Sequence, residues 1–151
     1  MNAPAQKDWI TGRYRKVRRL EPLESEIQIG LVNLLNHVLR DGRIEFYHTP
    51  NGELRDIRTA AKLKAMGVRP GVADLFFLWG EPMSVVGEPH VQTVSRILYL
   101  ELKRRGEYLS PAQEQFRDSV TAKGSWYEVA DSIDEAVEIL KRYGVLKNNI
   151  K

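Results

Sequence analysis

Arg96 to Gly106, RILYLELKRRG, alternates strictly: Leu98, Leu100 and Leu102 fall on one face of an extended chain, and Tyr99, Glu101 and Lys103 on the other. The pattern predicts a largely apolar strand from which an acid and a base project side by side. Ala73 to Trp79, ADLFFLW, is almost continuously apolar, as a strand covered on both faces would be. Gly80 to Pro89, with its glycines and prolines, reads as the loop between these strands. It is too short to hold a crossover helix, so the pair is expected to form an antiparallel hairpin. Asp74, at the start of one strand, then lies near Glu101 and Lys103, at the end of the other.

Other elements follow from period and punctuation. Leu23, Ile27, Leu31, Leu34, Leu35 and Val38 recur at helical spacing, predicting a helix from about Pro22 to Arg40, with Pro22 in its first turn and Asp41-Gly42 beyond its end. Ile44 to Thr49 reads as a strand closed by Pro50-Asn51-Gly52, and Ile57 to Met66 as a short helix stopped by Gly67. Ser110-Pro111-Ala112-Gln113 has the form of a capping box with proline at the first helical position, opening a helix to about Lys123. Ser125 to Ala130 reads as a strand, reached by a crossover that makes it parallel to the Glu101 strand. Ser132-Ile133-Asp134-Glu135 is a second capping box, starting a last helix that ends near Gly144. The order is α-β-α-β-β-α-β-α, an α/β fold with a mixed β-sheet flanked by helices. It forms a single domain over 21–146, after an arm over 1–20 and before a tail over 147–151.

Composition narrows the function without naming it. A chain of 151 residues with 42% hydrophobic and 28% charged positions fits one globular domain with a sizeable core. No cysteine is present, which excludes disulfides, thiolate zinc sites and cysteine nucleophiles. The absence of any run approaching roughly 18 apolar residues gives an expectation of no membrane span and a cytoplasmic protein. Net charge is only +3, but Arg13, Arg15, Lys16, Arg18 and Arg19 make the N-terminal arm densely basic. Such a run is as consistent with a solvated arm as with a polyanionic partner.

The candidate chemistry lies at the hairpin. Glu-x-Lys on one strand face is by itself an ordinary ion pair. Asp74 changes its meaning, because an acid in an apolar run costs free energy unless something compensates it, and two carboxylates converging at strand ends invite a cation. A hard divalent ion such as Mg2+ takes one or two carboxylates and fills its remaining positions with water or phosphate oxygens. Asp74 and Glu101 supply such a pair, with the carbonyl of Leu102 as a backbone ligand. Lys103, on the same face as Glu101, would orient a metal-bound water or stabilise charge on a phosphorane-like transition state.

RPGVAD ending at Asp74, LELK with Glu101 and Lys103, LSPAQEQF with Gln113, and Glu26 in the first helix together resemble the VRR-NUC family of the PD-(D/E)XK, restriction-endonuclease-like superfamily. Ala73 departs from the proline that the family often places before the aspartate. The resemblance implies a restriction-endonuclease-like core and an endonuclease that hydrolyses DNA phosphodiesters with Mg2+ or Mn2+. In some members it implies activity on branched DNA such as a Holliday junction, in phage or DNA-repair settings and with a homodimer as the working unit. The expected partner is therefore branched or duplex DNA, and the expected setting a bacterial or phage-infected cell. By the same resemblance Asp74 and Glu101 are metal ligands and Lys103 the catalytic lysine. Glu26 corresponds to the helix-one glutamate that reaches the site, and Gln113 to a glutamine holding Lys103, a water or the DNA backbone.

Two residues have local readings beside these. Glu26 flanks the apolar stripe as a solvated helix acid would, and Gln113 sits where a capping box needs it. Arg69, Arg104, Arg105 and His48 are candidate DNA contacts. Lys62 and Lys64 are read as a solvated helix face, Trp126 and Tyr127 as core or interface residues. A competing reading keeps the fold as a non-catalytic nucleic-acid-binding module, and another treats Glu101 and Lys103 as a structural ion pair in an unrelated α/β protein.

Overall fold

The computed structural model describes residues 6–7, 14–15, 22–49, 57–87 and 90–149. Most of the basic arm and the Pro50-Asn51-Gly52 turn lie outside the described residues. A two-residue ribbon, β1 (Gln6–Lys7) and β2 (Tyr14–Arg15), precedes the main body. There, α1 (Glu24–Val38), β3 (Ile44–His48), α2 (Ile57–Ala65), β4 (Leu75–Ser84), β5 (Val91–Leu102), α3 (Pro111–Thr121), β6 (Trp126–Ala130) and α4 (Ile133–Arg142) follow in turn.

The sheet runs β3-β4-β5-β6, antiparallel at the first two junctions and parallel at the last. The hairpin and the parallel crossover expected from the pattern are both present. Register places Leu75 opposite Leu100, and Glu101 opposite Val129. One sheet face carries Ile44, Leu75, Phe77, Leu98, Leu100, Leu102 and Ala130, all buried against Ile27, Leu31 and Leu35 of α1 and Ala136, Ile139 and Leu140 of α4. Each large aliphatic side chain removed from water there contributes about 1.5–3 kcal/mol. The other face is aromatic: Tyr47, Phe76, Tyr99, Phe116 of α3 and Tyr127 form a chain of ring contacts with centroids 4.8 to 6.3 Å apart.

Three local expectations are corrected. Gly80 to Ser84 is not loop: β4 continues through Pro82, which pairs with Thr93, so the hairpin is a long ribbon. β3 begins with Ile44 opposite Trp79, leaving the later stretch of β4 at an edge where a proline forfeits no second ladder. Pro22 lies outside α1, since Leu23 is the N-cap. At α4, Ser132 Oγ accepts from the Glu135 amide at 3.2 Å, but the Glu135 carboxylate reaches back to the Asp131 amide at 2.8 Å, so the reciprocal box is displaced by one residue. No helix among the described residues is long and apolar enough to cross a membrane.

The turn before β4 meets the start of α3 through a glycine. Gly71 has φ +78°, and a Cβ there would lie 2.2 Å from the Ala112 carbonyl oxygen and 2.7 Å from the Gln113 amide nitrogen. This close approach sets Asp74 and Gln113 on either side of the end of β5. Gly71→Ala is expected to destabilise the protein by at least about 1–2 kcal/mol, from the left-handed backbone alone, with more from the clash. Denaturant unfolding checks this; a variant as stable as the parent would contradict the close approach.

Candidate active site

β5 leaves the sheet at Leu102, and three elements converge on its last residues. Glu101 is 1% exposed and Lys103 9% exposed. The Lys103 ammonium lies 2.6 Å from Glu101 Oε1. Gln113 donates from its side-chain Nε2 to the same oxygen. The amide's other end, Oε1, accepts from the Ser110 backbone N–H at 2.8 Å. Gln113 therefore does two things with one amide, capping α3 through its oxygen and restraining an acid through its nitrogen. Its side chain holds Glu101, where the resemblance implied Lys103, a water or the DNA backbone.

Asp74 closes the opposite side. One of its carboxylate oxygens accepts from the Leu102 backbone N–H at 2.9 Å, tying the start of β4 to the end of β5. Its backbone carbonyl takes the Thr49 amide at 2.9 Å and His48 Nδ1 at 2.9 Å, so the end of β3 holds the same turn. Gln28 of α1 adds a 2.7 Å contact to His48 Nδ1. His48, from a turn suspected on sequence grounds, is thus placed beside Asp74.

Glu26 and Glu24 divide the helix-one role differently from the expectation. Glu26 carboxylate accepts from the Leu23 amide at 2.9 Å, capping α1, and lies beside Ser132, Ile133 and Asp134 at the start of α4. Glu24 instead brings its carboxylate to 3.6 Å from Lys103 Nζ. Sequence reasoning passed over Glu24, although it stands three residues before Ile27 and seven before Leu31, on the buried stripe of α1. Arg69 lines a shallow recess with Ala112 and Phe116 near the start of α3, and Arg104 and Arg105 are exposed just past β5, Arg105 facing Asp131 at 3.4 Å. Among the described residues none of these arginines forms an ion pair with Asp74, Glu101 or Glu24.

The electrostatics are those of crowded acids with one base among them. Burial and the charge of Asp74 push the Glu101 carboxyl up to about 7, against the pull of Lys103. Asp74 is raised by burial, in spite of the Leu102 amide, Lys103 and His48. Burial also raises Glu24, with Lys103 opposing and Glu107 and Asp74 reinforcing it. Lys103 loses solvation by burial, but the hydrogen bond to Glu101 and the charges of Glu101, Glu24 and Asp74 outweigh that and hold it above the ordinary lysine value. It stays an ammonium.

The donors fit a divalent cation. Glu101 Oε1 already has two donors, whereas Oε2 is buried with no hydrogen-bond partner. A buried carboxylate oxygen left bare is costly unless a cation or donor completes it. Among the described residues no three acidic or histidine side chains form a ready cage. Asp74 and Glu101 instead offer the sparse carboxylate set typical of Mg2+, which retains much of its water.

No protein-family model matches the sequence, and no curated protein is significantly similar to it. The four-stranded mixed sheet, helices on both faces and an acid-lysine cluster at the end of its central hairpin define a restriction-endonuclease-like α/β protein. Within that class the fold is the VRR-NUC fold, a nuclease-type architecture. A solved structure described as a VRR_NUC domain protein superposes on 82% of this chain and 89% of its own, with a TM-score of 0.57 and 25% identity.

The raised acids have a thermodynamic consequence. With its folded pKa near 7 and its ordinary value at 4.5, Glu101 holds its proton more tightly in the fold than in the unfolded chain. Its contribution therefore declines as pH rises through that window, and Asp74 and Glu24 act with the same sign. A cation bound to the carboxylates opposes the decline. The gap in melting temperature between Mn2+-saturated and metal-free protein is expected to widen between about pH 5 and about pH 8. A gap independent of pH would contradict the placement of the cation at these acids.

Proposed function

We propose that the protein is a metal-dependent DNA endonuclease, using Mg2+ or Mn2+ to hydrolyse phosphodiester bonds, selective for branched DNA and working as a homodimer. One observation carries the reading: a buried carboxylate, Glu101, has one oxygen held by Lys103 and Gln113 and the other bare, beside a second raised acid, Asp74. The VRR-NUC fold supports it.

Asp74, Glu101 and the Leu102 carbonyl are the ligands in this reading, and Glu24 rather than Glu26 is the helix-one acid nearest the lysine. A divalent cation held there would supply Lewis-acid activation of the scissile phosphate and of the attacking water. Lys103 remains charged and half-caged by acids, so it serves as a fixed cation that orients water and stabilises charge growing on the phosphoryl oxygens. Gln113 keeps Glu101 from rotating away. Arg69, Arg104, Arg105 and His48 are the candidate contacts to flanking phosphates in this reading. One such site cuts one strand, so paired cuts in a junction call for two copies related by a two-fold axis.

The test is cleavage of end-labelled linear duplex, flap and four-way-junction DNA with Mg2+, Mn2+ or chelator. Metal-dependent cutting is expected, strongest on the branched substrates. Asp74→Ala and Lys103→Ala are expected to lose at least about 100-fold in cleavage rate, the latter still binding DNA. Folded wild type that binds DNA but never cuts it would overturn the enzymatic reading and favour a binding module.

A further inference from the structure

A second buried polar atom lies on the same sheet face as Glu101. The Tyr127 hydroxyl is inaccessible to solvent and, like Glu101 Oε2, has no hydrogen-bond partner. Tyr127 is paired with Tyr99 across the β5–β6 ladder, and Val129 with Glu101, so the phenol and the carboxylate share one sheet face on diagonal positions. Phe116 of α3 packs edge-on against both Tyr99 and Tyr127, fixing the ring from above. The phenol is close enough to Glu101 and Asp74 that their charges, after burial itself, raise its pKa. No well-formed hydrogen bond joins the two groups, although they lie close enough for a weak hydrogen-bonding interaction with Glu101 to add to that rise.

An ionised carboxylate offers about four lone-pair positions. At Glu101, Oε1 uses its share on Lys103 and Gln113. Oε2 has room for one cation and one donor, and the only unspent buried side-chain donor among the described residues is the Tyr127 hydroxyl. Carboxylates that ligate metals are in turn hydrogen-bonded, and loss of such outer partners typically weakens metal affinity by about 10–100-fold.

Resting on the metal-site reading above, we propose that Tyr127 is a positioning residue for the cation: its hydroxyl donates to Glu101 Oε2 and aims the remaining lone pair of that oxygen at the metal. Once the ion is bound, both orphaned groups are satisfied. The phenol acts through Glu101 and does not ligate the metal.

The test is Mn2+ binding by calorimetry, without DNA, for wild type, Tyr127→Phe and Asp74→Ala, together with metal-free thermal melts. Wild type is expected to bind, Asp74→Ala to lose binding, and Tyr127→Phe to bind about tenfold more weakly. The metal-free melting temperature of Tyr127→Phe is expected to equal or exceed that of wild type, since the substitution removes a buried hydroxyl that makes no well-formed hydrogen bond. A purely structural tyrosine would give the opposite pattern: unchanged Mn2+ affinity, or a metal-free protein that melts lower, and either result overturns the assignment. Wild type that fails to bind Mn2+ overturns the metal-site reading itself, which separates the two failures.

Discussion

A carboxylate taken almost wholly out of water at the end of a central strand is the constraint around which the rest of this structure is arranged. Glu101 cannot be left alone there, and its neighbours are spent on it: an ammonium two residues further along the strand and a glutamine from the start of α3. Each has further attachments. Lys103 reaches Glu24 of α1 from one side of the sheet, and Gln113 caps α3 on the other. Asp74 fastens the turn before β4 to the backbone of Leu102. The acid thus couples both helical layers to the hairpin.

As a stabilising device such a cluster is poor, because desolvated charges seldom recover in mutual attraction what they lose from water. Raised pKa values at Glu101, Asp74 and Glu24 express that cost, since the fold would rather keep protons on these acids than leave them ionised. A stretch of sheet whose opposite face is packed with leucine needs no acids for stability. Their placement would make sense if an ion of higher charge than lysine's completed them, and acids perturbed in this way mark functional sites in general.

Much of this was legible in the chain because the strand period is strict. Alternation in RILYLELK separated Leu98, Leu100 and Leu102 from Glu101 and Lys103, and the spacing of two apolar runs was enough to fold Asp74 back on them. Other features depend on information that local pattern lacks. Gly80 and Pro82 are ordinary loop residues until the β3 ladder is known to reach no further than Trp79, which turns their segment into an edge ribbon. Glu24 and Glu26 are both first-turn acids; only the docking of α1 decides that one faces Lys103 and the other caps the helix. Tyr127 reads as a core aromatic, and its hydroxyl acquires meaning only from the register that sets β6 beside Glu101.

On the proposed reading, Glu101 is an acid held out of its ordinary range until a divalent cation completes it. Carbon-13 NMR titration of glutamate side-chain carboxyls, with the Glu101 resonance assigned by substitution, measures this directly. Metal-free protein should titrate at Glu101 near pH 7, and saturating Mg2+ should drive that titration well below the normal glutamate value of 4.5. An ordinary titration near 4.5, indifferent to Mg2+, would contradict the account.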